Sequence, residues 1–479
     1  MRKGTNFISE IGKYFKENNA TSAMQNITSI METVTLSERG LFGKRSNYNC
    51  KFSQLQVFQI LLLFPCFLIK NAFNYSGSPL FRIAECGKDV FYRFLSCEDY
   101  DWRKILLSFS SRLWLKTRSH SDRKDKTPVC LIVDDTDFPK TGYHTEQIGK
   151  VFSHVSGKMI LGFKGLFLCV TDGVSQMLLD FALVGEKGGN GNHGLRQEQL
   201  DARFSKERDA GSSTSKRIDE YGESKITLMT GMVKRVIARR VRFDYILADS
   251  WFTCAEIISF VASRRTRCHY LGMIKMGKTK YQYKGRDYTA KALVGLLNKP
   301  ESRKHSRRHG CFYITVDVTF AGRKVRLFFT KRSRNAEWNG LITTDTDLGF
   351  LDAYRIYSMR WSIEVVFKDS KGNLGLGKYQ MRNFTSQVAS TAITAMQYNL
   401  LSAARRFSDY ETIGGLFRNA TCETVELTVT ERIYDMLLDI VIAIAGCFDL
   451  DDGQILDALI NESDKIESIV NLYQQKYAG

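Results

Sequence analysis

The stretch that decides the fold is Val129-Cys130-Leu131-Ile132-Val133-Asp134-Asp135-Thr136, five apolar residues running directly into two acids. A short apolar run with polar residues at its end reads as a strand buried on both faces. Beyond it, Gly162–Val170 and Met177–Val184 read as two further strands joined by a turn at Asp172-Gly173. A Gly-rich, charged stretch, Gly185–Ser215, reads as a mobile surface loop. Ser224–Arg240 then has the pattern of a helix with a basic end. Phe243–Ala248 is a strand closed by Asp249, and Cys254–Arg265 is another helix.

From Thr266 to Asn335 the pattern is β-rich and basic. Tyr270–Met273, Phe312–Phe320 and Lys324–Thr330 read as strands there, with Arg303, Lys304, Arg307 and Arg308 in a loop between. Leu341–Thr343 returns to a buried strand, and a helix follows. With the basic insert set aside, the order is strand, strand, strand, helix, strand, helix, strand, helix. That order predicts a mixed α/β core of the ribonuclease-H-like kind, an analogy of fold that supplies no function by itself.

The helix after the last strand holds the run Tyr357-Ser-Met-Arg360-Trp361-Ser-Ile-Glu364-Val-Val-Phe-Lys-Asp-Ser-Lys371. At about 100° per residue, Tyr357, Arg360, Glu364 and Lys371 fall within roughly 60° of one another. Ile356, Met359, Ile363, Val366 and Phe367 occupy a neighbouring, core-facing sector. The ridge so formed carries a carboxylate flanked by cations and a phenol, a set that can hold a metal ion and meet phosphates. Taken alone, it also reads as a solvated amphipathic helix with ordinary ion pairs.

The acids of the first and fourth strands lie where functional groups of an open α/β sheet gather, at the carboxyl ends of strands. Two such acids, with Glu364 from the helix, can surround a pair of divalent ions about 3.5–4 Å apart. Hard oxygen ligands favour Mg2+, with Mn2+ able to substitute. Adjacent strand residues point to opposite faces, so one of Asp134 and Asp135 faces the ions, and spacing leaves open which. For Asp249, followed by Ser250 and Trp251, a turn or helix-cap role is the plainer alternative.

Composition narrows the partner. The 479 residues carry a net charge of +18, a self-repelling excess that a polyanion would relieve, nucleic acid first and an anionic membrane second. Against the membrane, the most apolar run, Val57–Ile69, is too short to span and is broken by Pro65. Nothing after Met1-Arg2-Lys3 reads as a signal peptide. Eleven cysteines without a Cys-x-x-Cys pair read as reduced, mostly buried thiols of a cytosolic protein. Seven histidines show no zinc spacing, and His305 and His309 lie in a basic loop without cysteine support. In the insert, Lys275, Lys278, Lys280, Lys284 and Arg286 interleave with Tyr281, Tyr283 and Tyr288, a pattern for backbone neutralisation with some stacking.

These segments together resemble the YREK-type DDE transposases of bacterial insertion sequences (insertion-sequence-four-like), over approximately Pro128 to Arg382. Ile132–Gly142 resembles the family's first-aspartate region, in which Asp135 matches the catalytic position. Tyr245–Phe252 resembles the second, with Asp249 as its aspartate, and Tyr357, Arg360, Glu364 and Lys371 match the YREK signature at its full spacing. The resemblance implies Asp135, Asp249 and Glu364 as catalytic residues and ligands of two Mg2+ ions. It also implies Tyr357, Arg360 and Lys371 as DNA-binding residues, with Trp361 as a stacking surface. The implied activity is cut-and-paste transposition: end nicking, hairpin formation and opening, then strand transfer.

Double-stranded DNA, as terminal inverted repeats and target, is the expected partner of a homodimer in the bacterial cytoplasm, at the nucleoid. Neither a membrane nor a small-molecule substrate is expected. The implied organisation is a helical DNA-end recognition region at 1–125 and a catalytic core at 126–265 and 336–382. A β-rich basic insertion fills 266–335, and a helical dimerisation region 383–479. Within the first region, Leu55–Leu68, Asp89–Leu95 and Trp102–Trp114 read as helices, with a break at Gly77-Ser78-Pro79 and a boundary at Ser119–Lys126. The last turns acidic at Asp449, Asp451 and Asp452 and closes with Ser463–Tyr473. A ribonuclease-H-like nuclease without strand transfer, and a non-catalytic DNA-binding domesticated transposase, are the alternatives.

Overall fold

The computed structural model describes residues 7–15, 22–34, 37–43, 46, 50–119, 127–188, 190–263 and 267–447. Most of the expected boundary at Ser119–Lys126, the acidic residues after 448 and Ser463–Tyr473 lie outside them. The chain divides into two compact units, Met1–Ala420 and Thr421–Gly479.

The amino-terminal part is helical: α1 (Phe7–Tyr14), α2 (Ala23–Thr33), α3 (Glu38–Phe42), α4 (Gln54–Leu63), α5 (Pro79–Ile83), α6 (Lys88–Leu95) and α7 (Trp102–Ser119). A 3-10 turn at Ala72–Gly77 and Pro79 at the start of α5 form the expected break. The sheet begins with β1 (Cys130–Pro139), β2 (Gly149–Ser153), β3 (Lys158–Thr171) and β4 (Gln176–Val184). After α8 (Gln197–Asp201), α9 (Ser213–Asp219) and α10 (Lys225–Ala238) come β5 (Tyr245–Ala248), α11 (Ala255–Val261) and β6 (His269–Ile274). The insert holds β7 (Lys280–Tyr283), β8 (Arg286–Thr289), α12 (Ala290–Leu297), β9 (Lys304–Ser306), β10 (Cys311–Phe320) and β11 (Arg323–Lys331). Then follow β12 (Asn339–Thr343), α13 (Phe350–Ser358), α14 (Ser362–Asn373), α15 (Phe384–Arg406) and α16 (Ile413–Cys447).

The core strands run β4-β3-β1-β5-β6 in space. β1 is antiparallel to β3, β3 is antiparallel to β4, and β1, β5 and β6 are mutually parallel. That is the ribonuclease-H-like strand order, and the fold is the mixed α/β class expected. The central parallel strands are apolar throughout because both faces are covered: Cys130–Val133 and Ile246–Ala248 are fully buried.

Three details differ from the expectation. β1 does not close at Asp135: its pairing with β5 ends at Val133 and Ala248, but β3 continues beside it to Pro139. Tyr270–Met273, read as part of the insert, lies in β6, the fifth core strand. Leu341–Thr343 lies in β12, which pairs antiparallel with β6 and extends the sheet. Finally, β2, on the edge of β3, and α8, within the stretch read as a loop, went unread.

α7 packs against both β4 and α15, so the helical region and the sheet share one core. α15 is buried from Phe384 to Ala404, and Asn399 uses both ends of its amide on the Leu178 backbone, at 2.7 and 2.8 Å. Fully buried Asp180 of β4 receives Arg103 Nε of α7 at 2.9 Å and Arg235 Nε of α10 at 2.8 Å. These arginines hold its carboxyl below the ordinary range against the opposing effect of burial. In the insert, Lys284 and Gly285 both take positive φ (49° and 78°), the left-handed pair a two-residue hairpin between β7 and β8 requires. Among the described residues no helix is long and apolar enough to cross a membrane, and Cys66, Cys86, Cys130, Cys169, Cys268 and Cys311 are buried.

Candidate active site

Parallel pairing of β1 with β5 aligns Val133 with Ala248, so the next residue of each strand is an acid: Asp134 and Asp249. Facing them is the junction of α13 and α14. The run expected as one helix tightens into a 3-10 turn at Met359–Trp361 between the two, a local change of winding found at functional hinges. Ile356, Ile363, Val366 and Phe367 are buried beneath it as expected. Phe367 meets Phe167 of β3 edge to face at 5.5 Å.

The junction turns its ridge toward the strand ends. Arg360 Nη1 donates to Asp134 Oδ2 at 3.0 Å and to Glu364 Oε1 at 3.4 Å. The two carboxylates therefore lie within about 6 Å of each other, sharing one guanidinium. The Tyr357 hydroxyl donates to the Ala248 carbonyl at 3.4 Å, one residue before Asp249, and burial pushes its pKa up to about 12. Lys371 Nζ donates to Thr136 Oγ1 at 2.7 Å, two turns along α14. Trp361 is 65% exposed. The Asp249 carboxylate accepts the Trp251 backbone N–H at 2.8 Å, which is the turn role noted above.

Asp135 is the expected site residue that the structure turns away. Its side chain lies on the opposite face of β1, where Lys225 Nζ of α10 donates to Oδ2 at 2.6 Å and Lys164 Nζ of β3 lies 4.0 Å from the same oxygen. Alternation along the strand is the reason: Asp134 and Thr136 face the ridge, while Asp135 and Asp137 face α10 and Lys164. The acid that meets Glu364 through Arg360 is Asp134. Burial pushes its carboxyl up to about 7; the Asp135 N–H and Arg360 pull it down, and Glu364 and Asp135 add to the rise.

Among the described residues, no group of three or more His, Cys, Asp or Glu side chains stands ready to hold a metal ion. Arg360 lies between Asp134 and Glu364. The donor set itself is all carboxylate oxygen, which suits a hard divalent cation. A buried carboxyl with a raised pKa is stabilised in its charged form by such a cation. Asp134, Asp249 and Glu364 offer oxygens of that kind, whereas Asp135 is engaged by Lys225 and Lys164.

Two neighbours of the site went unread: Lys225 and Lys164. A lysine at the first position of a helix opposes the helix dipole, and Lys225 after the N-cap Ser224 is such a misfit. In the insert, Lys275, Lys278, Lys280, Lys284 and Arg286 are exposed as expected. Tyr281 is not a stacking residue: it is buried against Phe320, ring centroids 5.1 Å apart.

Residues 79–279 match the family model described as "DDE superfamily endonuclease". The matched stretch contains Asp134, Asp135 and Asp249 and ends before Tyr357–Lys371. No curated protein matches the chain. A solved structure, the piggyBac transposase synaptic complex with hairpin DNA, is 12% identical with a TM-score of 0.43, covering 89% of this chain and 81% of that chain. The NurA nuclease from Sulfolobus solfataricus is 10% identical with a TM-score of 0.22, covering 50% of this chain and 76% of that chain. Both scores are low, and the strand order carries the fold.

Proposed function

We propose that the chain is a DDE-type DNA transposase, cutting and joining DNA by divalent-metal-dependent phosphoryl transfer. The observation that carries this reading is the register of β1 and β5. It sets Asp134 beside Asp249 at the carboxyl ends of neighbouring parallel strands, with Glu364 facing Asp134 across Arg360. The endonuclease family match over residues 79–279 and the net charge of +18 agree with it.

In this reading Asp134, not Asp135, joins Asp249 and Glu364 as the metal-holding set, for two Mg2+ ions or Mn2+ in their place. The ions would supply charge stabilisation to the attacking and leaving oxygens of an in-line displacement at phosphorus. Arg360 presents a forked guanidinium to a phosphate, Tyr357 stays protonated and donates a hydrogen bond, and Lys371 adds a cation along the same ridge. Trp361 offers an exposed indole to a base. The finer proposal is cut-and-paste movement of an insertion sequence through hairpinned ends, by a homodimer acting on inverted repeats.

The test is incubation of the protein with Mg2+ and DNA bearing both ends of the element that flanks its gene. Hairpinned ends and joined products are expected. Nicks alone would leave a nuclease, a reading the family description favours equally, and binding without cleavage would leave a DNA-binding protein. Replacing Glu364 by Gln should abolish cleavage while DNA binding persists.

A further inference from the structure

The carboxyl end of β1 has two sides of opposite character. Toward α14 lie the acids Asp134, Asp249 and Glu364, with Arg360 between Asp134 and Glu364 and Lys371 on Thr136 further along. Toward α10, Lys225 and Lys164 meet Asp135, and Lys164 Nζ also lies 2.5 Å from Asp137 Oδ1. Over this second side stands Trp251, 44% exposed, while Trp102 and Trp114 are each only 2% exposed. Its backbone N–H is fixed to Asp249 Oδ1, and its ring rests edge-on against the buried Phe252 at 5.0 Å. Lys225 Nζ lies over the indole, 5.0 Å from the ring centroid. An indole left in water forgoes the burial of a large apolar surface, and this one is held in place by three contacts.

From this placement we infer that Trp251 and Lys225 form a subsite for an unpaired nucleotide of single-stranded DNA, the base on the indole and its phosphate on the ammonium, with Asp135 as the residue that positions Lys225. An ammonium has three N–H donors. One serves Asp135, and two remain for phosphate oxygens. Lys225 also opens a 14-residue helix, α10, whose positive end adds to the attraction for an anion. Stacking on an indole tolerates any base, so the subsite grips a strand without reading its sequence. The inference rests on the DNA-cleaving reading and adds a contact on the face of β1 away from Glu364.

The experiment measures binding of the full chain to a short labelled single-stranded oligonucleotide in EDTA, across a salt series. Trp251→Ala should weaken binding at least about fivefold and Trp251→Phe far less. Lys225→Ala should reduce the slope of log affinity against log salt by about 0.7. In a background carrying Trp361→Phe and Trp338→Phe, the oligonucleotide should quench tryptophan fluorescence, and adding Trp251→Phe should remove that quench, a readout that needs no alanine variant. Unchanged affinity and salt slope in both alanine variants, in protein that still cuts DNA, would overturn the subsite alone. Failure of the unaltered chain both to bind and to cut DNA would overturn the subsite and the enzymatic reading together.

Discussion

Replacing Lys140 by Met tests how the end of β1 is held to the segment after α14. Lys140 is only 6% exposed, and its Nζ donates to the carbonyls of Gly377 at 2.9 Å and Tyr379 at 2.5 Å, beside the Tyr379 ring. Burial pushes its pKa down to about 7 from the ordinary 10.5. A neutral amine keeps two N–H donors, enough for both carbonyls. Between these two pH values the unfolded chain holds one proton more than the folded one, so stability rises with pH. The contribution is complete above 10.5, and is lost as pH falls through about 7. The slope is about 1.4 kcal/mol per pH unit, or roughly 5 kcal/mol across the window.

Urea titrations of both proteins at several pH values isolate this term, because every other group titrates in both. The unaltered chain should gain about 3 kcal/mol on Lys140→Met between about pH 7 and pH 9.5. A difference that stays flat would refute the reasoning. It would mean that the two carbonyls and the ring hold a charged ammonium at its ordinary pKa.

Two further outcomes follow from the same geometry. Asp180→Ala leaves Arg103, Arg217 and Arg235 around an empty buried position and should lower unfolding free energy by about 3–5 kcal/mol; a loss below about 1 kcal/mol in denaturant titrations would contradict the clamp. Asp134→Asn should reduce Mg2+-dependent DNA cleavage by more than about a hundredfold, and Asp135→Asn by much less at saturating DNA; single-turnover assays showing the reverse order would return Asp135 to the metal set.

The α/β order and the parallel strands were legible because burial on both faces leaves unbroken apolar runs such as Cys130–Val133 and Ile246–Ala248. The ridge was legible because Tyr357, Arg360 and Glu364 keep one side across the turn between α13 and α14. What was hidden depended on partners remote in sequence. The choice between Asp134 and Asp135 follows from where β5 stops pairing and from Lys225 and Lys164, 90 and 29 residues beyond Asp135. The extent of β1 follows from the length of β3. Tyr281 looked like a basic-patch aromatic, yet packing against Phe320 decided its side.

Because β6 pairs with β12, and through β11 and β10 the ladder continues to β7 and β8, the basic insertion is welded edge to edge to the strands beside the acids. It has no free hinge along that seam. Lengthening the β10–β11 hairpin should therefore leave the attachment through β12 and β6 intact.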